Sequence, residues 1–436
     1  MDIATKYNEP SLRTLVDQNE YSLLTRPNAL ATLTNEGSLH KEGSIFAVGY
    51  HEIHPDISVN FQLNRFSDGS AEMVDAMRFV APRIKDYRDY TREISQLSHE
   101  AYEDGRLLHG ALFLRSAEFY MFPDDPAKQP ARLRFMHTMR EVFQVNEAEH
   151  LQVPYGNGRL YAYRFTPPTP KSTIVVFGGF DSYIEEWFPA LLFLRDAGYD
   201  IVAFDGPGQG AALEDGHLPM HPDWDRPVTA VLDHFDLDDV TLLGISLGGC
   251  LTVRAAAKEP RVRRVVCDDV LVDFYEVIMG QLSPARRHAI RALLWARASA
   301  VVNPMVGAVM RQSLVVEWGV RQGMHVTGTS TPYDFLRETM CYETRSLSRD
   351  LTQDVLVMAG TEDHYVPVHQ FAQQIDLLTN ARSVTARLFT RSEQAQNHVQ
   401  VGNLRLSLDV IVSWLEGLET RNLSTTTGVE EVPRCA

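Results

Sequence analysis

From Ser70 onward, apolar residues recur at spacings of three and four: Met73, Met77, Val80, Ile84 and Tyr87. That is the period of an amphipathic helix. Pro82 falls inside the run and predicts a kink or break, because its ring removes a hydrogen bond and crowds the preceding turn. A second helical stretch covers 105–122 and stops at Pro123, and a third places Met136, Met139 and Phe143 on one face. Residues 1–69 show no convincing period and receive no assignment. With three helical stretches and no strand between them, residues 1–150 read as a helical N-terminal domain.

At Leu151 the period changes to alternation, and 151–165 reads as a β-hairpin around a Gly-Asn-Gly turn at 156–158. Short β-branched apolar runs then recur at 173–177, 200–205, 240–244, 264–268 and 355–360, with 384–389 as a last strand. Such runs suit strands buried on both faces of a parallel sheet, and most are separated by enough chain for a helix. The predicted class is therefore α/β, a mostly parallel sheet wound with helices over 151–419. The long interval 274–350 has helical faces, Trp295 and Trp318 among them, and few strand signals. It reads as a helical cap inserted over the carboxyl edge of the sheet, where open α/β sheets bind ligands. A final helix is predicted over 404–418, and a disordered Ser/Thr-rich tail over 420–436.

Composition narrows the class of partner. The 436 residues carry a formal net charge of -16, which argues against a nucleic-acid partner, because phosphate binding calls for a basic face. The sequence has no apolar run long enough to span a bilayer, and its start lacks the basic-then-apolar order of a signal peptide. The expectation is a cytoplasmic protein with a small-molecule substrate and no membrane partner. Cys250, Cys267, Cys341 and Cys435 form no CxxC pair, so neither a metal site nor a disulfide framework is expected, and no cofactor is called for.

The chemistry concentrates at strand ends. Gly244-Ile245-Ser246-Leu247-Gly248 fits GxSxG directly after a buried strand and before a helical stretch, the context in which a serine is presented on a sharp turn. A lone GxSxG can also be a plain glycine turn. A serine hydroxyl needs a base to take its proton and an acid to orient that base, and in this kind of fold they follow in the order serine, acid, histidine. Asp363, just past the 355–360 strand, is the favoured acid, with Asp268, Asp269 and Asp273 as alternatives. His398 has both the chain order and the loop position of a base, whereas His364 and His369 lack them. The backbone amides of Leu247 and Phe180 are the expected oxyanion donors, Phe180 following two glycines in the loop after the 173–177 strand. Asp181, Glu185 and Glu186 read as solvated helix caps. Gly206, Gly208 and Gly210 read as a structural turn, because they lack the lysine and spacing of a phosphate loop.

Taken together, GGFDSYIEEW, FDGPGQG, GISLGG, GTEDHYVP and NHVQVGN, in this order, resemble the α/β-hydrolases that carry a helical N-terminal domain. That group includes fungal polyketide-pathway hydrolases, of the fusarin type and the pigment chain-shortening type, and the bacterial 2,6-dihydroxypseudooxynicotine hydrolase. The resemblance covers roughly 70–418, and GMHVTGTSTPYDFL resembles the group's cap. It implies a Ser246, Asp363, His398 triad under a lid made of the N-terminal helices and the insertion. It also implies action on ester, thioester, lactone or carbon–carbon bonds beside a carbonyl in small molecules of secondary metabolism, with ring closure by internal acyl transfer in some members, and a homodimer. A ligand-binding protein on the same scaffold is the alternative from outside catalysis, although binding alone does not require all three triad candidates.

Overall fold

The computed structural model describes residues 46–280 and 282–427, with side chains to Arg421. The chain first forms α1 (Ile57–Arg65), in a stretch to which the sequence pattern assigned nothing. Asp56 caps α1 by accepting from the Val59 amide, and Val59, Leu63 and Phe66 form its apolar stripe. The pattern is hard to read because Asn60, Gln62 and Asn64 are also buried. Asn60 accepts from the Ile53 and His54 amides and Asn64 from the His51 amide, so their polarity is consumed locally.

The run beginning at Ser70 is two helices rather than one. Ser70 caps α2 (Ala71–Val80), Pro82 sits in a single 3-10 turn, and Asp86 caps α3 (Tyr87–Glu103). The expected second and third stretches follow as α4 (Leu107–Phe119) and α5 (Lys128–Val142). α3 went unassigned because its charged residues outnumber the narrow buried stripe of Tyr87, Tyr90, Ile94, Leu97 and Ala101.

Thereafter come β1 (His150–Tyr155), β2 (Gly158–Phe165), β3 (Thr173–Phe177), α6 (Phe188–Asp196), β4 (Asp200–Asp205), α7 (Gly210–Glu214) and α8 (Asp225–Phe235). β5 (Val240–Ile245), α9 (Leu247–Ala256) and β6 (Val262–Asp268) complete the first half of the sheet. The insertion contributes α10 (Phe274–Ile278), α11 (Pro284–Trp295), α12 (Ser299–Met310), α13 (Leu314–Thr327) and α14 (Pro332–Thr339). The chain closes with β7 (Asp354–Gly360), α15 (His369–Leu377), β8 (Ser383–Phe389) and α16 (Leu404–Thr427).

The eight strands form one sheet in the order β1-β2-β4-β3-β5-β6-β7-β8. The β1–β2 and β2–β4 pairs are antiparallel and the rest parallel. The protein is thus α/β with a mostly parallel sheet, and β3 to β7 all point the same edge toward the cap. β4, β5 and β7 are buried along their whole length, as their apolar β-branched composition requires, and two apolar clusters cover the two faces of the sheet. The tail expected from residue 420 is helical as far as Thr427. Arg421 holds that extension to the sheet through Asp354 at 2.8 Å, and no glycine or proline falls between Leu418 and Thr427. The rest of the expected tail, 428–436, and residues 1–45 of the N-terminal part lie outside the described residues.

Candidate active site

Ser246 sits between β5 and α9 with φ 61° and ψ -123°, a conformation that costs a non-glycine residue strain and lifts its side chain off the turn. The glycines around it are there for space. A Cβ on Gly244 would lie 2.0 Å from the Gly248 carbonyl oxygen, and one on Gly248 would lie 2.8 Å from the Gly178 carbonyl oxygen. Ser246 Oγ lies 2.8 Å from His398 Nε2, and His398 Nδ1 lies 2.6 Å from Asp363 Oδ2. Three residues on separate loops at the carboxyl edge of the sheet are therefore joined in one line of hydrogen bonds.

Asp363 is fixed by its own loop, accepting from the amides of Tyr365 and Val366. The alternative acid Asp269 is also present: its Oδ2 lies 3.3 Å from His398 Nδ1. Its main partners, however, are the Val399 amide and the Gln400 side-chain amide, each at 2.7 Å. Val399 and Gln400 both have positive φ, so Asp269 clamps the bent backbone that carries His398. Asp268 is buried beside it and reaches no partner through Oδ1, and Asp273 is engaged with Arg291 and Arg345 away from the histidine. His364 packs between Phe61 and Tyr365, and His369 is exposed near Glu276.

Charge follows from this crowding. Burial works to lower the His398 pKa, but the Asp363 carboxylate and then Asp269 outweigh it and hold the ring up at about 10. Asp363 is buried too, yet the facing imidazole and its amide donors keep its carboxyl below the usual range. Burial and the neighbouring Asp363 charge push Asp269 up to about 6. Asp269, Asp363 and His398 also place potential metal-ligand atoms within 4.8 Å of one another, but His398 already spends both ring nitrogens on Ser246 and Asp363.

Leu247 opens α9, so its amide has no carbonyl within the helix to meet. The Phe180 loop lies directly against it: a Cβ on Gly179 would fall 2.8 Å from Leu247 N and 3.0 Å from Ser246 Cβ. Gln209 donates its side-chain amide to the carbonyls of Gly178 and Gly179, so the 206–210 turn is structural, and what it supports is this loop. Nothing in the spacing of its glycines pointed to Gln209.

Asp181, Glu185 and Glu186 are not solvated caps. Glu186 accepts from Arg115 at 2.7 Å and Arg65 at 2.8 Å, Asp181 pairs with Arg65 at 3.1 Å, and Glu185 is buried against the Tyr163 hydroxyl. Arg115 also donates to the Asp181 carbonyl at 2.6 Å and to Glu118 at 2.5 Å. These arginines come from α4 and α1, so the helical region grips the segment that carries Phe180. On the far side of the triad Phe61 of α1 sits 6.2 Å from the His398 ring, and Gln62 donates to the Tyr365 hydroxyl. A narrow gap of about 20 Å³, room for about one water, adjoins Phe180, bordered by Phe119, Asp181, Glu214, Trp318 and Gln322.

A mostly parallel sheet with a serine elbow after β5 and a histidine after β8 is the architecture of α/β-hydrolases. The fold is that of the α/β-hydrolases, and residues 174–389 match the model of the alpha/beta hydrolase family. A hydrolyase, poxO, from Penicillium oxalicum is 31% identical over 53% of this chain and 61% of its own length. The match therefore spans less than two thirds of that relative. The 20-hydroxy-prefusarin hydrolase FUS2 of Gibberella moniliformis is 29% identical over 59% of this chain and 70% of its own. Among solved structures, the 2,6-dihydroxy-pseudo-oxynicotine hydrolase superposes with a TM-score of 0.55 over 81% of this chain and 94% of its own, at 20% identity, a likeness of fold. Among the described residues, no helix is long and apolar enough to cross a membrane.

Proposed function

We propose that the protein is a cofactor-free serine hydrolase acting on an acyl bond, an ester, thioester, lactone or carbon–carbon bond beside a carbonyl, in a small polyketide-type metabolite. The observation that carries this reading is the unbroken line Ser246 Oγ to His398 Nε2 to Asp363 Oδ2, at 2.8 and 2.6 Å. In it, Ser246 Oγ attacks the carbonyl carbon and its proton passes to His398 Nε2. The oxyanion is held by the amides of Leu247 and Phe180, and the imidazolium is held by Asp363. The proton then goes to the leaving group, and water repeats the sequence on the acyl-enzyme to release the acid. The gap beside Phe180 is too small in this state for the rest of the substrate and would have to widen to admit it, with the unpartnered Gln322 Oε1 among its lining. Substrate class rests on relatives such as the 20-hydroxy-prefusarin hydrolase. The test is release of 4-nitrophenol from short acyl esters by the wild type and by Ser246→Ala; equal turnover by the two would end the serine mechanism.

A further inference from the structure

The cap has two apolar faces. On its inner side Val302 and Val306 of α12 join Tyr275, Leu294, Val320 and Phe335 in a cluster that also touches Phe180. On the outer side Val301, Met305 and Val309 recur every four residues along the same helix, with Trp295 at the end of α11 before it and Leu314 and Val315 at the start of α13 after it. These six are between 36% and 75% exposed, Trp295 the most, and nothing among the described residues lies over them. The exposed Ala292, Ala296, Ala300 and Pro304 fill the spaces between them. A helix apolar all round, lying at a protein surface, is half of a contact.

The charges around this face say what the other half is. From Val277 to Val316 the sequence holds Arg286, Arg287, Arg291, Arg297 and Arg311 and no Asp or Glu, in a protein of net charge -16. Arg287 and Arg291 are tied to Glu276 and Asp273. Arg286, Arg297 and Arg311 are exposed, and no carboxylate among the described residues pairs with them. Arg297 and Arg311 bracket α12, one at each end of the apolar stripe. A twofold contact with a second copy would bring this face against itself, arginine toward arginine, with no acid in the segment to offset them. An interfacial helix instead combines apolar residues with flanking arginines that reach anionic headgroups and a tryptophan at the boundary.

We propose that the outer face of the cap, centred on α12, docks on an anionic lipid surface, lying on it without crossing it. The absence of a membrane partner expected from the sequence rests on span length and total charge. Neither measure reports a local basic and apolar face, since charges more than about 8 Å away are largely screened at physiological salt. Docking would place the cap's inner cluster, and with it the Phe180 loop, just above a reservoir of apolar molecules. The proposal stands whatever bond the enzyme cleaves.

The experiment is co-sedimentation of the full chain with vesicles of phosphatidylcholine alone and of phosphatidylcholine with phosphatidylserine, alongside sedimentation velocity without lipid. The expected result is partition onto the mixed vesicles that weakens as salt rises. Arg297→Glu and Arg311→Glu should each lower partition about fivefold or more, at the ~1 kcal/mol per basic residue typical of anionic surfaces. Met305→Glu combined with Val309→Glu should abolish it, and Trp295→Ser, a milder change, should reduce it with circular dichroism unchanged. Absence of partition onto either vesicle would overturn the proposal, as would partition that ignores all these substitutions. A dimer that Met305→Glu splits would assign the face to a second copy. Partition gained only on removal of residues 1–45 would assign it to that segment, and either result would likewise overturn the proposal.

Discussion

Asp269 Oδ2 lies 3.3 Å from His398 Nδ1, the nitrogen that Asp363 already holds at 2.6 Å. One imidazole thus faces two buried carboxylates with unequal duties. Asp363 has the shorter contact and a loop built to hold it, whereas Asp269 spends both oxygens on the backbone and side chain that follow the histidine. Loss of the true orienting acid costs roughly 10⁴ in rate. Asp363→Asn should therefore be crippled, and Asp269→Asn milder by at least about tenfold, measured as kcat on an aryl ester. The reverse ranking would move the orienting role to the end of β6.

The same pair sets a pH dependence. Because His398 is held up at about 10, well above its ordinary 6.5, the acid limb of kcat/KM should lie above 6.5, activity appearing as the ring loses its proton. Removing one of the two raising charges in Asp269→Asn should move that limb toward lower pH; a limb that stays put or climbs contradicts the assignment. Stability runs the other way. A raised histidine pKa stabilises the fold fully below about 6.5, and the contribution disappears as pH rises through about 10. Urea midpoints across that range should fall for the wild type and fall less for His398→Gln.

Arg115 is 2% exposed and joins Glu118, Glu186 and the Asp181 carbonyl. Arg115→Met leaves two buried carboxylates short of a partner, a change that typically costs about 3–5 kcal/mol. The expected outcome is a large drop in denaturation midpoint, with kcat falling more than KM rises because the Phe180 loop loses its tether. A midpoint within about 0.5 kcal/mol of the wild type would show that the network carries little.

Water is the expected final acyl acceptor. Run in water enriched in heavy oxygen, the native reaction should place the label in a product carboxylate, read by mass spectrometry. An unlabelled cyclic product would instead show that a nucleophile within the substrate, held against the acyl-enzyme, completes the reaction.

What the sequence disclosed follows the range of each signal. Ser246 and Asp363 could be picked out because each follows a strand within a few residues, and strand ends are marked by short apolar runs; His398 could be picked out because it lies in the loop between the last strand and the last helix. Arg65 and Arg115 could not. They meet Glu186 across 121 and 71 residues, and no local pattern encodes that distance. For the same reason Glu185 and Glu186 looked like ordinary helix caps, and α1 escaped notice because its buried asparagines and glutamine mimic a surface. The outer face of α12 was hidden differently. An apolar helix in a sequence reads as core, and only the fold reveals that one of its sides has nothing among the described residues packed on it.

The grip of Arg65 and Arg115 on the 181–186 segment bears on how such proteins diversify. Three positions that answer one another through buried charge cannot drift one at a time, since each single replacement strands a carboxylate or a guanidinium out of water. α1, α4 and the Phe180 loop are consequently one heritable piece. A chimaera that takes its helical region from one relative and its sheet from another would have to carry that loop along with the helices.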